Sequence, residues 1–281
     1  MIFIVLLFLL AQPLLGRQDD VDLIFPKRVF ENTKQIIFLP SAQAQLRLGR
    51  YIGSDDRHGW RGGVEGEITL LGIYKSLLHW GLNMETLVDD SNDIYFRLVQ
   101  VYYQTSVGVS WPLGPGVWTW GWQHRCSHGA DSAVLSRILI RSGLQTSYFY
   151  SVNFNPVSLN VRAGADLHVI GQNDDTSSQA RGGFSLVAEA IMALGGPWYM
   201  LVAGGFASEI RASGKSSVYN LASSAKDFNL DNLFSMRLAL RFKNKNLNND
   251  YALLFSQIGD TGFGAHKNKH SGVSFDVNFY W

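Results

Sequence analysis

The sequence predicts one antiparallel transmembrane β-barrel of about twelve strands, an all-β fold with short periplasmic turns and long extracellular loops. Three observations support this fold class. Apolar and polar residues alternate along most of the chain, the breaks between these segments alternate in length, and the last segment is an alternating strand that ends on an aromatic residue. Beyond the N-terminus no uninterrupted apolar run reaches the length of a membrane helix, so any membrane integration must use strands.

The alternation is clearest over residues 99–127. Val107 and Val109 alternate with small or polar residues, and after a turn at residues 113–116 the pattern restarts with Trp118, Trp120 and Trp122 on one parity. Side chains two residues apart on a strand face the same way, and large aromatics opposite Gln, Ser and Arg are typical of a wall between lipid and a polar lumen. The same pattern predicts strands at about residues 43–52, 59–71, 74–88, 95–111, 116–127, 143–154, 158–171, 180–194, 198–210, 233–243, 250–258 and 271–281.

Loop lengths support the barrel independently. Breaks after odd-numbered predicted strands are mostly long and polar, such as 127–142 and 211–232, whereas breaks after even-numbered strands are mostly short, such as 72–73 and 113–115. Long loops on the outer rim and short turns on the periplasmic rim are typical of barrels in the outer membrane of a double-membraned bacterium. A soluble sandwich would have no reason for this asymmetry.

Composition and the chain ends complete the expected organisation. The chain has 281 residues and a formal net charge of +1, which argues against a nucleic-acid partner, and its one cysteine excludes an intrachain disulfide. Residues 1–16 contain a short apolar core and are predicted to be a secretory signal peptide, with a short membrane anchor as the alternative. Residues 17–42 are predicted to be an irregular periplasmic segment, and residues 43–281 the transmembrane barrel.

The last strand predicts one partner. Val273, Phe275, Val277, Phe279 and Trp281 share one parity, and the chain stops at Trp281. This pattern resembles the C-terminal signal that is read by the outer-membrane barrel assembly machinery. Outer-membrane lipids, including lipopolysaccharide, are the other expected partners.

The parity opposite the apolar face predicts a polar lumen. Because both charge signs occur there at high density, we expect the side chains to pair with each other, which leaves little conductance; a narrow pore is the alternative. Neither a metal nor a cofactor is expected. The predicted lumen residues are Arg61, Glu65, Glu67, Lys75, His79, Glu85, Arg162, Asp166, His168, Arg237 and Arg241.

One motif follows the Trp series. Residues 80–131 include the run VYYQTSVGVSWPL, a hairpin turn and then HRCSHGAD, and this order resembles the uncharacterised outer-membrane family catalogued as domain of unknown function 1207. The hallmark of that family is a strand ending in His-x-Ser-Ser-His followed closely by Asp. The matching residues are His124, Ser127, His128 and Asp131, with Cys126 at the first Ser position. The resemblance implies an outer-membrane barrel with no established activity.

His124 and Cys126 also resemble the His-x-Ser pair of outer-membrane phospholipase A and lipid A deacylase. By parity both side chains face lipid at the outer end of strand five, where an imidazole could act as general base for a neighbouring nucleophile. The resemblance implies hydrolysis of acyl esters, with Cys126 in place of serine and Asp131 as a third catalytic candidate. On strand six the outward parity offers Thr146, with Ser142 just before the strand, and no carboxylate.

A structural role for the same residues is the other interpretation. The side chains would form a hydrogen-bonded network that orders the third long loop, since polar residues are normal where a strand leaves the hydrocarbon. Binding of a ligand or partner at this rim is a further alternative. The residues of this predicted rim network are His124, Arg125, Ser127, His128 and Asp131.

Overall fold

Twelve antiparallel strands close into one barrel in the computed structural model of the chain. The structure describes residues 36–52, 60–89, 97–129, 139–172, 178–213, 227–243, 248–258 and 270–280. The strands are β1 (Ile36–Ile52), β2 (Trp60–Ile73), β3 (Ser76–Asp89), β4 (Arg97–Leu113), β5 (Gly116–Gly129), β6 (Leu139–Phe154), β7 (Val157–Gln172), β8 (Ser178–Gly195), β9 (Trp198–Ser213), β10 (Asp227–Lys243), β11 (Asn248–Ile258) and β12 (His270–Tyr280).

Each strand pairs with the strand before it and the strand after it, and β12 pairs with β1 to complete the ring. Four of the hairpins, β2–β3, β4–β5, β6–β7 and β8–β9, have turns of two residues at the same rim. Strands at the other rim are joined by longer segments that lie outside the described residues. The predicted fold class and strand number are therefore confirmed.

The two faces of the wall differ in chemistry. Large apolar side chains are exposed on the outside, as Trp120 (51%) and Leu238 (49%) illustrate, whereas polar side chains are buried inside, as Arg237 (2%) and His168 (1%) illustrate. A surface of this kind is stable only when hydrocarbon covers it, because a soluble protein would bury such residues. Within the described ranges, no helix is both long enough and apolar enough to cross a bilayer.

The start of the first strand differs from the prediction. β1 begins at Ile36 rather than at residue 43, so the final part of the predicted periplasmic segment is barrel wall. Leu39 has a φ of 50°, and the register with β2 shifts between Phe38 and Ser41. Proline has no N–H to donate to a ladder, and this irregularity accommodates Pro40 within a paired strand. The predicted signal peptide and Trp281 lie outside the described residues.

The turn between β2 and β3 corrects one predicted lumen residue. Lys75 was expected on the inner face of strand three, but Tyr74 and Lys75 form the two-residue turn, and the Lys75 side chain is exposed. The strand continues to Ile73 because a bulge between Thr69 and Leu71 adds a residue to β2 and delays the turn. Lys75 is therefore a rim residue.

A small apolar cluster lies inside the largely polar lumen. Leu201 and Ala203 of β9 pack with Ala239 of β10, and Ile191 contacts them from β8. Leu201 is fully buried. Alternation predicts a polar inner face, so this cluster shows that the interior near the short-turn rim is filled partly by apolar side chains.

Candidate functional site at the outer wall

The outward face of β5 carries the candidate site. β5 runs from a two-residue turn towards the long-loop rim, so its last residues lie near the outer leaflet. His124 and Cys126 share the outward parity with the exposed Trp120 and Trp122, and both are partly exposed. Gln123, between Trp122 and His124, is buried in the lumen. The structure thus places His124 and Cys126 on the lipid-facing wall, as alternation predicts.

His124 is hydrogen-bonded to a residue of the neighbouring strand. Its Nδ1 lies 2.7 Å from Oγ of Ser142, and the two residues are directly opposite each other in the β5–β6 register. Ser142 is 4% exposed. With Nδ1 engaged by this hydroxyl, Nε2 is the ring nitrogen that remains to exchange a proton with a substrate or a nucleophile.

Cys126 is a free cysteine that is partly exposed, and it lies two residues beyond His124 on the same face. In the register its neighbours are Tyr103 of β4 and Ile140 of β6. An imidazole, a thiol and a hydroxyl therefore occupy one patch of the outer wall. The patch holds the group types of a nucleophile, a base and a group that orients the base.

The structure separates members of the predicted rim network. Arg125 is buried on the lumen side of β5, across the wall from His124, because successive side chains of a strand point to opposite faces. The prediction of a network that joins Arg125 to His124 is therefore wrong. The side chains of Ser127 and His128, and Asp131 as a whole, lie outside the described residues.

Ser142 lies one residue outside the sixth strand that the alternation predicts. The predicted strand six began at residue 143, whereas β6 begins at Leu139 and includes Ser142 on its outward face. The register with β7 shifts between Ser142 and Gly143, so the outer end of β6 breaks the simple alternation of the strand. A serine directly before a predicted strand was the only signal in the sequence.

Arg47 organises one side of the lumen. Its guanidinium lies 3.9 Å from a carboxylate oxygen of Glu65 on β2 and 3.9 Å from one of Glu85 on β3. Arg47 and Glu85 are both nearly fully buried. β1 and β3 are not adjacent in the sheet, so the side chains of Arg47 and Glu85 meet inside the lumen.

A polar chain crosses four strands near the short-turn rim. Glu67 of β2 lies 3.8 Å from Nδ1 of His79, and Nε2 of His79 lies 3.0 Å from Oγ of Ser110. The Ser110 hydroxyl is in turn 2.8 Å from the hydroxyl of Thr119. Gly108 lies against the His79 ring, where an added Cβ would come within 2.8 Å of Cε1. These contacts hold the His79 ring in one orientation.

A second ionic group lies on the other side of the lumen. Glu209 accepts hydrogen bonds from Nη1 of Arg141 and, at 3.3 Å, from Nε of Arg211. Further down the lumen, Asn160 donates to Glu189 at 3.0 Å, and His168 pairs with Asp166 at 2.5 Å. Charged residues of both signs are therefore paired inside the barrel.

Most of the predicted lumen residues lie on the inner face of the barrel. The Arg61 side chain lies outside the described residues. Arg47 and Glu209 were missed although they share the inner parity of predicted strands, and Arg141 and Arg211 were missed because they lie just beyond predicted strand ends. Residues that the structure places on the inner face are Glu65, Glu67, His79, Glu85, Arg162, Asp166, His168, Arg237 and Arg241.

The geometry defines the class of protein. A closed antiparallel barrel with an apolar outer wall and a lumen of paired charges is an outer-membrane β-barrel. Among the described residues, no three His, Cys, Asp or Glu side chains are grouped so that they could hold a metal ion.

Comparisons with known proteins find weak structural likenesses alone. No protein-family model matches the sequence, and no curated protein matches it. Among solved structures, the Salmonella typhi outer membrane phospholipase dimer with bound calcium is similar with a TM-score of 0.47 and 11% identity, over 86% of this chain and 91% of that chain. LpxR from Salmonella typhimurium is similar with a TM-score of 0.44 and 9% identity, over 86% and 100%. For the KdgM porin the values are 0.40 and 8%, over 85% and 98%. Likenesses at this level assign no activity.

Proposed function

We propose that the protein is a non-conducting outer-membrane barrel with a structural or surface-interaction role. The observation that carries this proposal is the ion pair between Arg141 and Glu209. β6 and β9 are separated by two strands in the sheet, so the two side chains meet inside the lumen. The pair of Arg47 with Glu85 makes a similar crossing at another position.

These pairs oppose ion flow for an electrostatic reason. A permeating ion would have to separate buried charges that stabilise each other, and the charges left behind would be desolvated and unpaired. The apolar cluster around Leu201 fills part of the lumen nearer the short-turn rim. A barrel of this kind presents its outer wall and its loops, and not its interior, to other molecules.

Planar-bilayer recording tests the proposal. The mature barrel should give no steady conductance, while a water-filled porin added to the same bilayer shows that insertion and recording work. Steady single-channel currents from the parent protein would overturn the proposal and favour the narrow pore. Deletion of the segment between β9 and β10, residues 214–226, should impair binding of a surface partner and leave the barrel folded.

A family is proposed from the motif at the end of β5. We infer from His124, Ser127, His128 and Asp131 that the chain is a relative of the domain of unknown function 1207 family, which implies no activity of its own. The outer-membrane lipids and the assembly machinery that would recognise β12 remain the proposed partners.

Hydrolysis of acyl esters in outer-leaflet lipid is the second candidate function. The hydrogen bond between His124 and Ser142 favours it, because that bond supplies an orienting group that the sequence motif lacks. His124 would be the general base and Cys126 the nucleophile. The exposed Trp120 and Trp122 lie on the same face towards the membrane centre, where the acyl chain of a lipid would run.

The reaction would proceed through a thioester. The Cys126 thiol transfers its proton to Nε2 of His124, and the sulfur attacks the carbonyl carbon of the ester. Collapse of the tetrahedral intermediate breaks the ester C–O bond, and His124 returns the proton to the leaving alcohol. A water molecule, deprotonated by His124, then attacks the thioester; the fatty acid leaves and the thiol is regenerated.

Release of fatty acid from outer-membrane lipid tests this candidate. His124→Ala and Cys126→Ala should each lower the rate by at least about 100-fold, a typical contribution of acid–base catalysis. Thr146→Ala is the matched control, since Thr146 lies on the same outward face of β6 and bonds only to a main-chain oxygen in the contacts seen, that of Thr119. Absence of turnover by the parent, or full turnover by His124→Ala, would eliminate the hydrolase.

A further inference from the structure

Three neighbouring strands form a shallow groove on the outer wall, which we call the β4 groove. Its floor consists of three β-branched residues on the outward face of β4, Thr105, Val107 and Val109. In the register, Val107 lies between Trp80 of β3 and Trp122 of β5, and all three side chains are exposed. Because a valine projects less far from the sheet than a tryptophan, this row has a low centre between two high walls.

The groove continues along β4 in both directions. One row nearer the short-turn rim, Val109 lies between Leu78 and the exposed Trp120. Two larger residues of the same parity on β4, Tyr103 and Trp111, bound the floor at its ends. The strand between them is about 26 Å long at about 3.3 Å per residue. The groove is therefore narrow and long, and it follows the strand.

A hydrogen bond fixes the wall on the β3 side. Nε1 of Trp80 donates to Oγ1 of Thr105 at 2.9 Å, and the Thr105 hydroxyl donates to the main-chain oxygen of Gly81 at 3.2 Å. An indole N–H that faces hydrocarbon is costly without an acceptor, so this contact satisfies the group and also holds the ring. A ligand that enters the groove therefore does not have to order this wall.

The end of the groove nearer the long-loop rim carries a polar group. His124 lies directly opposite Thr105 in the β4–β5 register, and its Nδ1 is bonded to Ser142. Nε2 lies at the tip of the ring, further from the backbone than Nδ1. When the Ser142 hydroxyl donates to Nδ1, the ring proton is on Nε2, which can then donate to a carbonyl oxygen. The groove thus offers an apolar channel with a hydrogen-bond donor at its head.

An ester-linked fatty acyl chain has the matching chemistry. Its hydrocarbon would lie along Val107 and Val109, and its carbonyl oxygen would meet the imidazole. A hydrogen bond at the edge of the hydrocarbon is stronger than one in water, because the local dielectric constant is low. We propose that the β4 groove binds one acyl chain of an outer-leaflet lipid, with the ester carbonyl at Nε2 of His124. The proposal shares His124 with the hydrolase candidate but requires no turnover.

Quenching of tryptophan fluorescence by a brominated lipid tests the proposal, because Trp80 and Trp122 line the groove. The Cys126→Ala variant, which lacks the candidate nucleophile, is placed in vesicles of unbrominated ether-linked lipid. The vesicles are titrated with phosphatidylethanolamine that carries bromine on ester-linked acyl chains. A saturable phase of quenching is expected at low fractions of this lipid, before the gradual rise caused by lipid around the whole barrel.

A brominated ether-linked analogue tests the contact with the carbonyl. This probe has the same chains without the carbonyl oxygen, so it should need a roughly 3–10-fold higher fraction to reach half-saturation, the equivalent of one hydrogen bond. His124→Leu should remove the difference between the two probes. Equal curves for the ester and ether probes before that substitution would overturn the assigned position of the carbonyl.

Two phenylalanine variants test the groove itself. Val107→Phe fills the floor between the two tryptophans and should abolish the saturable phase. Val202→Phe is the matched control, since Val202 also lies on the outward face, between Ala190 and Leu238 and without an aromatic wall. A single gradual curve before either substitution, or a saturable phase that Val107→Phe leaves intact, would overturn the proposal. Saturable binding without fatty-acid release by the parent would support the groove and eliminate the hydrolase.

Discussion

Nδ1 of His124 on β5 lies 2.7 Å from the hydroxyl oxygen of Ser142 on β6, on the face of the barrel that contacts lipid. Polar groups on such a face are costly unless they are bonded to each other, so this pair satisfies two groups that hydrocarbon would not solvate. The pair also fixes the orientation of the imidazole, and Cys126 lies two residues further along the same face. Structural and catalytic roles of His124 therefore depend on the same contact and can be separated only by measurement.

The variant Ser142→Ala separates a structural role of His124 from a catalytic one. If His124 is a general base, loss of the hydroxyl leaves the ring free to rotate, and kcat for fatty-acid release should fall by roughly 10-fold, less than the loss expected for removal of the base itself. KM should change little, because Ser142 is 4% exposed and offers almost no surface to a substrate. Ser142→Thr keeps a hydroxyl and should restore much of the rate. Equal activity of the parent and Ser142→Ala would show that this contact is only structural.

Arg47→Met tests the ionic packing of the lumen. The substitution removes the cation between Glu65 and Glu85 and leaves the buried Glu85 without it, so the free energy of unfolding should fall by about 3 kcal/mol. Urea-induced unfolding in lipid vesicles measures the change. The double variant Arg47→Met with Glu85→Gln removes both charges and should recover part of the loss. An additive loss in the double variant would show that the two groups do not interact.

The sequence predicts the faces of the wall better than it predicts contacts across the lumen. A period of two residues assigns Glu65, His79 and Arg237 to the inner face, because that period is a local property of each strand. The pairing of Arg141 with Glu209 depends on the stagger of four strands, which no local pattern contains. The strand ends were also missed where bulges or a proline interrupt the alternation, as at Pro40, Ser142 and Lys75.

Gly121→Ala should destabilise the contact between β4 and β5. A Cβ at Gly121 would lie 2.3 Å from the main-chain oxygen of Val107 and 2.7 Å from Cα of Gly108, so the backbones would have to move apart. Overpacking of this kind typically costs about 1–3 kcal/mol. Gly204→Ala is the matched control, since a Cβ at Gly204 meets no atom within 4 Å. Similar unfolding free energies for the two variants would contradict the close approach.

Leu238→Arg tests which side of the wall faces hydrocarbon. Leu238 is on the outward face in the middle part of β10, where an arginine should lower the free energy of unfolding in a bilayer by about 2–4 kcal/mol, more than Leu238→Ala does. Leu48→Arg is the control for depth. Leu48 is equally exposed but lies near the outer end of β1, so its arginine can reach the interface and should cost at most about 1 kcal/mol. Only a membrane gives a penalty that grows with depth; equal costs at both positions would mean that the exposed apolar band is covered by something other than lipid.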